Sequence, residues 1–249
     1  MLTNMSEIMS KKISVLDISI DNFTAKEAMQ EALAYMESDL VSVIELVTIE
    51  SLMELGTEAE LKEEIENFDL ILAGNKTILE AAEITDHKCL RETQDKTFLK
   101  MFLRYLARKH KRVYLLVESE EEGQKMFGHF EEYYRGTQIV GMAKVSAKNR
   151  ADDMLINAIN GEEVDCVLSA LSSPLQEELI SKNRNVMNAR VWLGLGKDGI
   201  PVVAKGIGGG RIGQFFMKQI FKKVSSLCTV LLMMAVLTLT GASAVWAEE

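Results

Sequence analysis

Short apolar runs and amphipathic stretches take turns along most of the 249-residue chain. Residues 1–12 are polar and Met-rich and read as a flexible lead-in. Ile13 to Ile20 alternates as a strand does, and Asp21-Asn22-Phe23-Thr24 turns the chain. Thr24 with Glu27 three residues later is a capping-box signature, and Ala28, Met29, Ala32, Leu33 and Met36 then fall on one helical face. Val41–Thr48 predicts a strand, Ser51–Leu55 and Glu58–Asn67 predict helices, and Asp69–Ala73 predicts a strand buried on both faces. A strongly amphipathic helix follows over Thr97–Lys109, with Phe98, Met101, Phe102, Tyr105 and Leu106 inward. Arg112–Val117, Gln138–Gly141, Val164–Leu171 and Arg190–Leu195 predict the remaining strands. Lys125–Tyr134, Asp152–Asn160 and Glu177–Asn183 predict the helices between them.

Such alternation forces parallel neighbours joined by right-handed crossovers, which predicts an α/β fold: a Rossmann-like sandwich with a mostly parallel sheet. Ligands in such folds bind beyond the C-terminal ends of the strands. That rule selects Thr48–Ser51, Ala73–Thr77, Glu118–Glu121, Ser172–Gln176 and Gly194–Gly199 for their chemistry.

The pattern breaks near the C-terminus. From Val224 to Ala247 no residue carries a charge. As a helix this run reaches about 36 Å, enough to cross a hydrocarbon core of about 30 Å. Lys218, Lys222 and Lys223 precede it while Glu248 and Glu249 follow, which predicts a single-pass transmembrane helix with the soluble body on the cytoplasmic side. The same segment has the order of a secretory signal peptide, ending in Ala242-Ser243-Ala244 and Val245-Trp246-Ala247, and a buried C-terminal helix is the third reading. The expected organisation is a lead-in over 1–12, an α/β domain over 13–205, a Gly-rich hinge over 206–216 and a membrane anchor over 217–249.

Composition narrows the chemistry. Lys and Arg total 28 against 37 Asp and Glu, a formal charge of −9, and no basic stripe interleaves with aromatics, so nucleic acid is not the expected partner. Cys89, Cys166 and Cys228 form no C-x-x-C pair, and His87 with Cys89 gives two ligands where a metal site needs more, so no metal is expected. Ser172-Ser173-Pro174-Leu175-Gln176-Glu177 follows a strand and opens a helix. Its hydroxyls and amide suit an anionic or sugar ligand, and they equally suit a helix cap. The glycines of Gly206–Gly213 lack the Lys of a phosphate loop and read as a hinge. Trp192 in a strand and Trp246 near a membrane interface need no catalytic role.

Taken together, V-L-D-I-S-I-D-N-F-T-x-x-E-A (Val15–Ala28), F-D-L-I-L (Phe68–Leu72), I-V-G (Ile139–Gly141), I-N-A-I-N (Ile156–Asn160) and S-P-L-Q-E (Ser173–Glu177) resemble the WecG/TagA/CpsF family of bacterial N-acetylmannosaminyl-type glycosyltransferases. The resemblance covers roughly residues 13–200 and is most specific at Pro174, Gln176 and Glu177. It implies an inverting transfer of an N-acetylhexosamine from a UDP-sugar to a polyprenyl-diphosphate-linked acceptor, without metal or other cofactor, in cell-surface polysaccharide or teichoic acid synthesis. Implied nucleotide-sugar contacts are Thr48, Arg91, Ser173, Gln176, Glu177, Gly194 and Gly196. The family's catalytic Asp falls on Gly74, which cannot accept a proton; Asp95, Glu92 and Lys76 are the candidate substitutes. Loss of a general base costs about 10²–10⁴-fold in rate. Three functions follow: a membrane-anchored transferase with altered catalysis, a non-catalytic relative that binds a nucleotide-sugar or protein partners, and a tethered scaffold with no ligand. The implied partners are the UDP-N-acetylhexosamine, the lipid-linked acceptor and the membrane through residues 224–247, with a homo-oligomer left open.

Overall fold

The computed structural model describes residues 12–56, 58–148, 151–197 and 199. The chain opens with a two-stranded antiparallel hairpin, β1 (Lys12–Val15) and β2 (Ile18–Asp21). The sequence pattern predicts one strand here. Leu16 and Asp17 instead take left-handed backbone, with φ of 51° and 62°, and fold the run on itself. Asp21 then accepts the Ile71 N–H at 3.0 Å, which docks the hairpin on the main sheet.

The order continues α1 (Ala25–Tyr35), β3 (Ser42–Val47), α2 (Ile49–Leu55), α3 (Ala59–Ile65), β4 (Leu70–Ala73), α4 (Lys76–Ala81), α5 (His87–Gln94) and α6 (Thr97–Arg108). It proceeds through β5 (Arg112–Val117), α7 (Glu120–Tyr133), β6 (Gln138–Lys144), α8 (Asp152–Asn160), β7 (Cys166–Ser169), α9 (Leu175–Asn183) and β8 (Val191–Gly194). Six strands form one parallel sheet in the order β4-β3-β8-β7-β5-β6. The predicted α/β class and mostly parallel sheet are therefore present. Lys12, placed by sequence in the lead-in, is already in β1.

Parallel strands covered on both faces need apolar side chains on both, and β5, β7 and β8 are buried almost throughout. Trp192, Tyr114, Phe102 and Phe130 are the bulkiest fully buried side chains. Thr24 closes the expected capping box with Glu27, and Ser119 closes another with Glu122 at the acidic start of α7. The hinge, the glycines of Gly206–Gly213 and the uncharged run Val224–Ala247 lie outside the described residues, so the expected transmembrane helix has no structural counterpart to compare. Among the described residues no helix is long and apolar enough to cross a membrane.

Asp165 fastens the N-terminal edge of the sheet, so that the opposite edge is held in register. Its carboxylate accepts the Arg112 N–H at 2.8 Å and pairs with Lys111 at 3.0 Å, and its carbonyl accepts the Arg190 and Val191 N–H groups. Asp165→Ala strips two of these partners and should lower unfolding stability by about 1–3 kcal/mol, read as a shifted urea midpoint. An unchanged midpoint would show that the edge does not depend on this residue.

Candidate functional site

The C-terminal ends of β3, β4 and β8 and the loop after β7 surround a cavity of about 450 Å³, where an α/β sheet places its ligands. Its floor is polar. Glu45 interrupts the apolar strand β3, and it, Gln176 and Glu177 are each only 1% exposed. The Gln176 amide spans the floor: Nε2 donates to Glu45 Oε1, and Oε1 accepts the Gly196 N–H at 3.4 Å. The Ser173 hydroxyl donates to Glu177 Oε1 at 2.6 Å. The second carboxyl oxygens of Glu45 and Glu177 are buried with no hydrogen-bond partner.

Burial and the adjacent Glu177 carboxyl both push the Glu45 carboxyl well above the usual carboxylate range, against the lowering effect of the Gln176 amide. Burial also raises Glu177; the Ser173 hydroxyl and its own backbone N–H oppose this, while Glu54 and Glu178 add to it. The floor therefore carries less negative charge than its sequence suggests, which matters for any anion entering the cavity.

Two lysines supply positive charge to the cavity wall. Lys96, in left-handed backbone before α6, donates from Nζ to the Gly199 carbonyl at 2.9 Å. Lys197 lies 3.7 Å from Glu118. Burial raises the Glu118 carboxyl, but hydrogen bonds from Ser172 and the Lys197 ammonium more than offset it and hold the group below its ordinary value. The lysines were not among the residues singled out from sequence; their signal is position, one before a helix and one in a strand-end loop. Among the described residues no cluster of three or more His, Cys, Asp or Glu side chains forms a metal-binding group.

The residues named from sequence divide into two groups. Thr48, Gly74, Glu92, Ser173, Gln176, Glu177 and Gly196 line the cavity; Arg91, Asp95, Lys76 and Gly194 do not. Thr48 N-caps α2, accepting the Ser51 N–H at 3.2 Å, and Asn75 caps α4. Glu92 accepts the Ala25 N–H at 2.9 Å and lies 3.9 Å from Lys88. Arg91 and Asp95 are exposed, and Lys76 pairs with Glu80. The Ser172 and Ser173 hydroxyls bind carboxylates, and no side chain caps α9, so the capping reading of that loop does not describe it. Gly196 has φ of +67°, a backbone that favours glycine.

Gly74 has a structural reason of its own. Its N–H donates to the Val47 carbonyl at 2.7 Å, and a Cβ there would meet that oxygen at 2.9 Å. A carboxylate at this position is not a simple restoration of a missing base, because the β4–α4 turn runs against β3. Gly74→Ala should cost about 1–3 kcal/mol through this backbone clash, measured as a lowered Tm; a variant as stable as the parent contradicts the geometry.

The raised Glu45 carboxyl also fixes a pH dependence. A folded-state value above the unfolded one contributes stability that is complete below the unfolded value and lost as pH rises through the folded value. Glu45→Gln removes that titration, so its Tm should gain on the parent steadily as pH rises above the ordinary carboxylate range. Parallel Tm curves would contradict a retained proton.

Comparison with known families places this cavity in context. A family described as Glycosyl transferase WecG/TagA/CpsF family matches residues 13–205, which include every described element from Ile13 of β1 to the end of β8 and the whole cavity. Comparison with curated proteins finds no match. With three quarters of its length inside the match, the chain belongs to the WecG/TagA/CpsF glycosyltransferase family.

Proposed function

We propose that the chain transfers an N-acetylhexosamine from a UDP-sugar to a polyprenyl-diphosphate-linked acceptor at the bacterial membrane, with catalysis altered from the family pattern. The observation that carries this reading is the cavity at the C-terminal sheet edge, with Lys96 and Lys197 beside a floor whose carboxyls favour their neutral form, in a chain of this family. An anionic diphosphate is disfavoured by carboxylates and favoured by ammonium groups, so proton retention on the floor and two lysines on the wall act in the same direction.

In an inverting transfer the acceptor oxygen bonds to the anomeric carbon and loses its proton. The anomeric bond to the diphosphate breaks, and its electron pair leaves with UDP. Glu92 is the proposed proton acceptor, since it lines the cavity whereas Asp95 and Lys76 do not. Lys96 and Lys197 are proposed to stabilise the departing diphosphate without a metal ion. The charge-free run Val224–Ala247, preceded by three lysines, supports anchoring that brings the cytoplasmic body to a lipid-linked acceptor. Gly74 favours a second reading, nucleotide-sugar binding without turnover, because the position of the family's Asp has no room for one.

Radiolabelled transfer from UDP-N-acetylhexosamines to a polyprenyl-diphosphate acceptor separates the two. Turnover that falls about 10²-fold or more in Glu92→Gln supports the transferase reading. UDP-induced thermal stabilisation without transfer supports the binding reading. Lys96→Ala or Lys197→Ala should weaken UDP by about tenfold, as loss of one charge-assisted contact does. No thermal shift with UDP or UDP-sugars overturns both readings.

A further inference from the structure

Glu45 and Gly194 occupy one row of the sheet. The parallel register pairs Glu45 with Gly194 and Gly194 with Ser169, so their side-chain positions lie on the same face. The Glu45 carboxyl lies over Gly194: a Cβ built there would collide with both of its oxygens. Strand β8 has no side chain at this point, and the space it leaves is filled by the carboxyl of its neighbour. From that seat Glu45 engages the Gln176 amide, whose other end receives the Gly196 N–H. Gly194 thus stands outside the cavity and is nonetheless tied to it.

The Gln176 amide has two faces of use, and both are committed within the protein. Its oxygen holds the backbone of the 196–199 loop, which carries Lys197 and, through the Gly199 carbonyl, anchors the Lys96 ammonium. An amide side chain rotates freely unless one end is fixed. Here the fixed end is at Glu45. Glu45 is therefore the root of a chain of hydrogen bonds that runs from β3 across α9 to the loop holding both lysines.

We propose that Glu45 is a positioning residue of the site: seated over Gly194, it anchors the Gln176 amide and thereby sets Gly196, Lys197 and, through the Gly199 carbonyl, the Lys96 ammonium for a nucleoside diphosphate. This rests on the reading of the cavity as a nucleotide-sugar site. The carboxyl acts as an acceptor for the Gln176 N–H, a role that a Gln at position 45 reproduces and an apolar residue of similar size does not. Gly194 is required because any side chain would evict the carboxyl from its seat.

The test uses the full chain with UDP as probe, in the parent, Glu45→Gln, Glu45→Leu and Gly194→Ala. Amide hydrogen exchange reads the anchor without ligand, and calorimetric titration reads the site. Glu45→Gln should keep loop protection and UDP affinity within about threefold of the parent. Glu45→Leu should lose protection at Gly196, Lys197 and Gly199 and bind UDP about tenfold or more weakly, since one buried anchor is gone. Gly194→Ala displaces the same carboxyl without removing it and should match Glu45→Leu; it also serves if the leucine variant fails to fold. A general loss of packing would raise exchange across the sheet rather than at the loop. Loop protection unchanged in both damaging variants, or lost equally in Glu45→Gln, overturns the positioning role. A parent that binds no UDP while the exchange pattern holds overturns the nucleotide reading alone.

Discussion

Glu45 stands inside a parallel sheet, where burial and the neighbouring Glu177 carboxyl both oppose ionisation. A charge in such a place costs several kcal/mol, so burial and the neighbouring carboxyl favour the neutral form, and the group is held by hydrogen bonding to Gln176. Everything around the cavity floor is fitted to that choice. Gly194 supplies the space, Gln176 supplies the donor, and Gly196 closes the chain at the other end of the amide. A strand of purely apolar residues would pack as well and would leave the Gln176 amide without its anchor. The polar floor is thus a device for holding a loop in place, built at some expense of stability.

The same constraint separates two kinds of residue at the site. Gln176 and Glu177 are the positions at which the family resemblance is most specific, yet they are almost fully buried and bonded inside the protein. They shape the cavity from beneath. Thr48, Ser173, Gly196, Lys96 and Lys197 line it too, and these are half-buried or exposed. Gly74 belongs to a third category: the turn between β4 and α4 passes so close to β3 that only a glycine fits without a backbone shift. The glycine at this position is therefore a property of the turn as a whole.

Most of the sheet was legible because parallel strands leave long apolar runs. Arg112–Val117 and Arg190–Leu195 read as strands, and β5 and β8 are strands buried almost throughout. The hairpin at Leu16–Asp17 was not legible, because left-handed backbone at non-glycine residues leaves no mark in composition. Helices α4 and α5 were missed too: their charged, short stretches lack a strong apolar stripe. Within the site, the strand-end rule found Thr48, Ser173 and Gly196. The family resemblance placed Arg91 among the nucleotide-sugar contacts and Asp95 among the candidate proton acceptors, and both are exposed and stand outside the cavity lining. Glu45 had a visible signal, a carboxylate inside V-S-V-I-E-L-V, that periodicity treats as a defect in a strand rather than as chemistry.

The protonation state of Glu45 is the quantity on which this picture turns. The carbon-13 shift of its side-chain carboxyl, assigned in the labelled full chain by its loss in Glu45→Gln, reports that state directly. The account predicts a neutral carboxylic acid at neutral pH, with no titration in the ordinary carboxylate range. An ionised carboxylate at neutral pH, titrating near the ordinary value of 4.5, would contradict it.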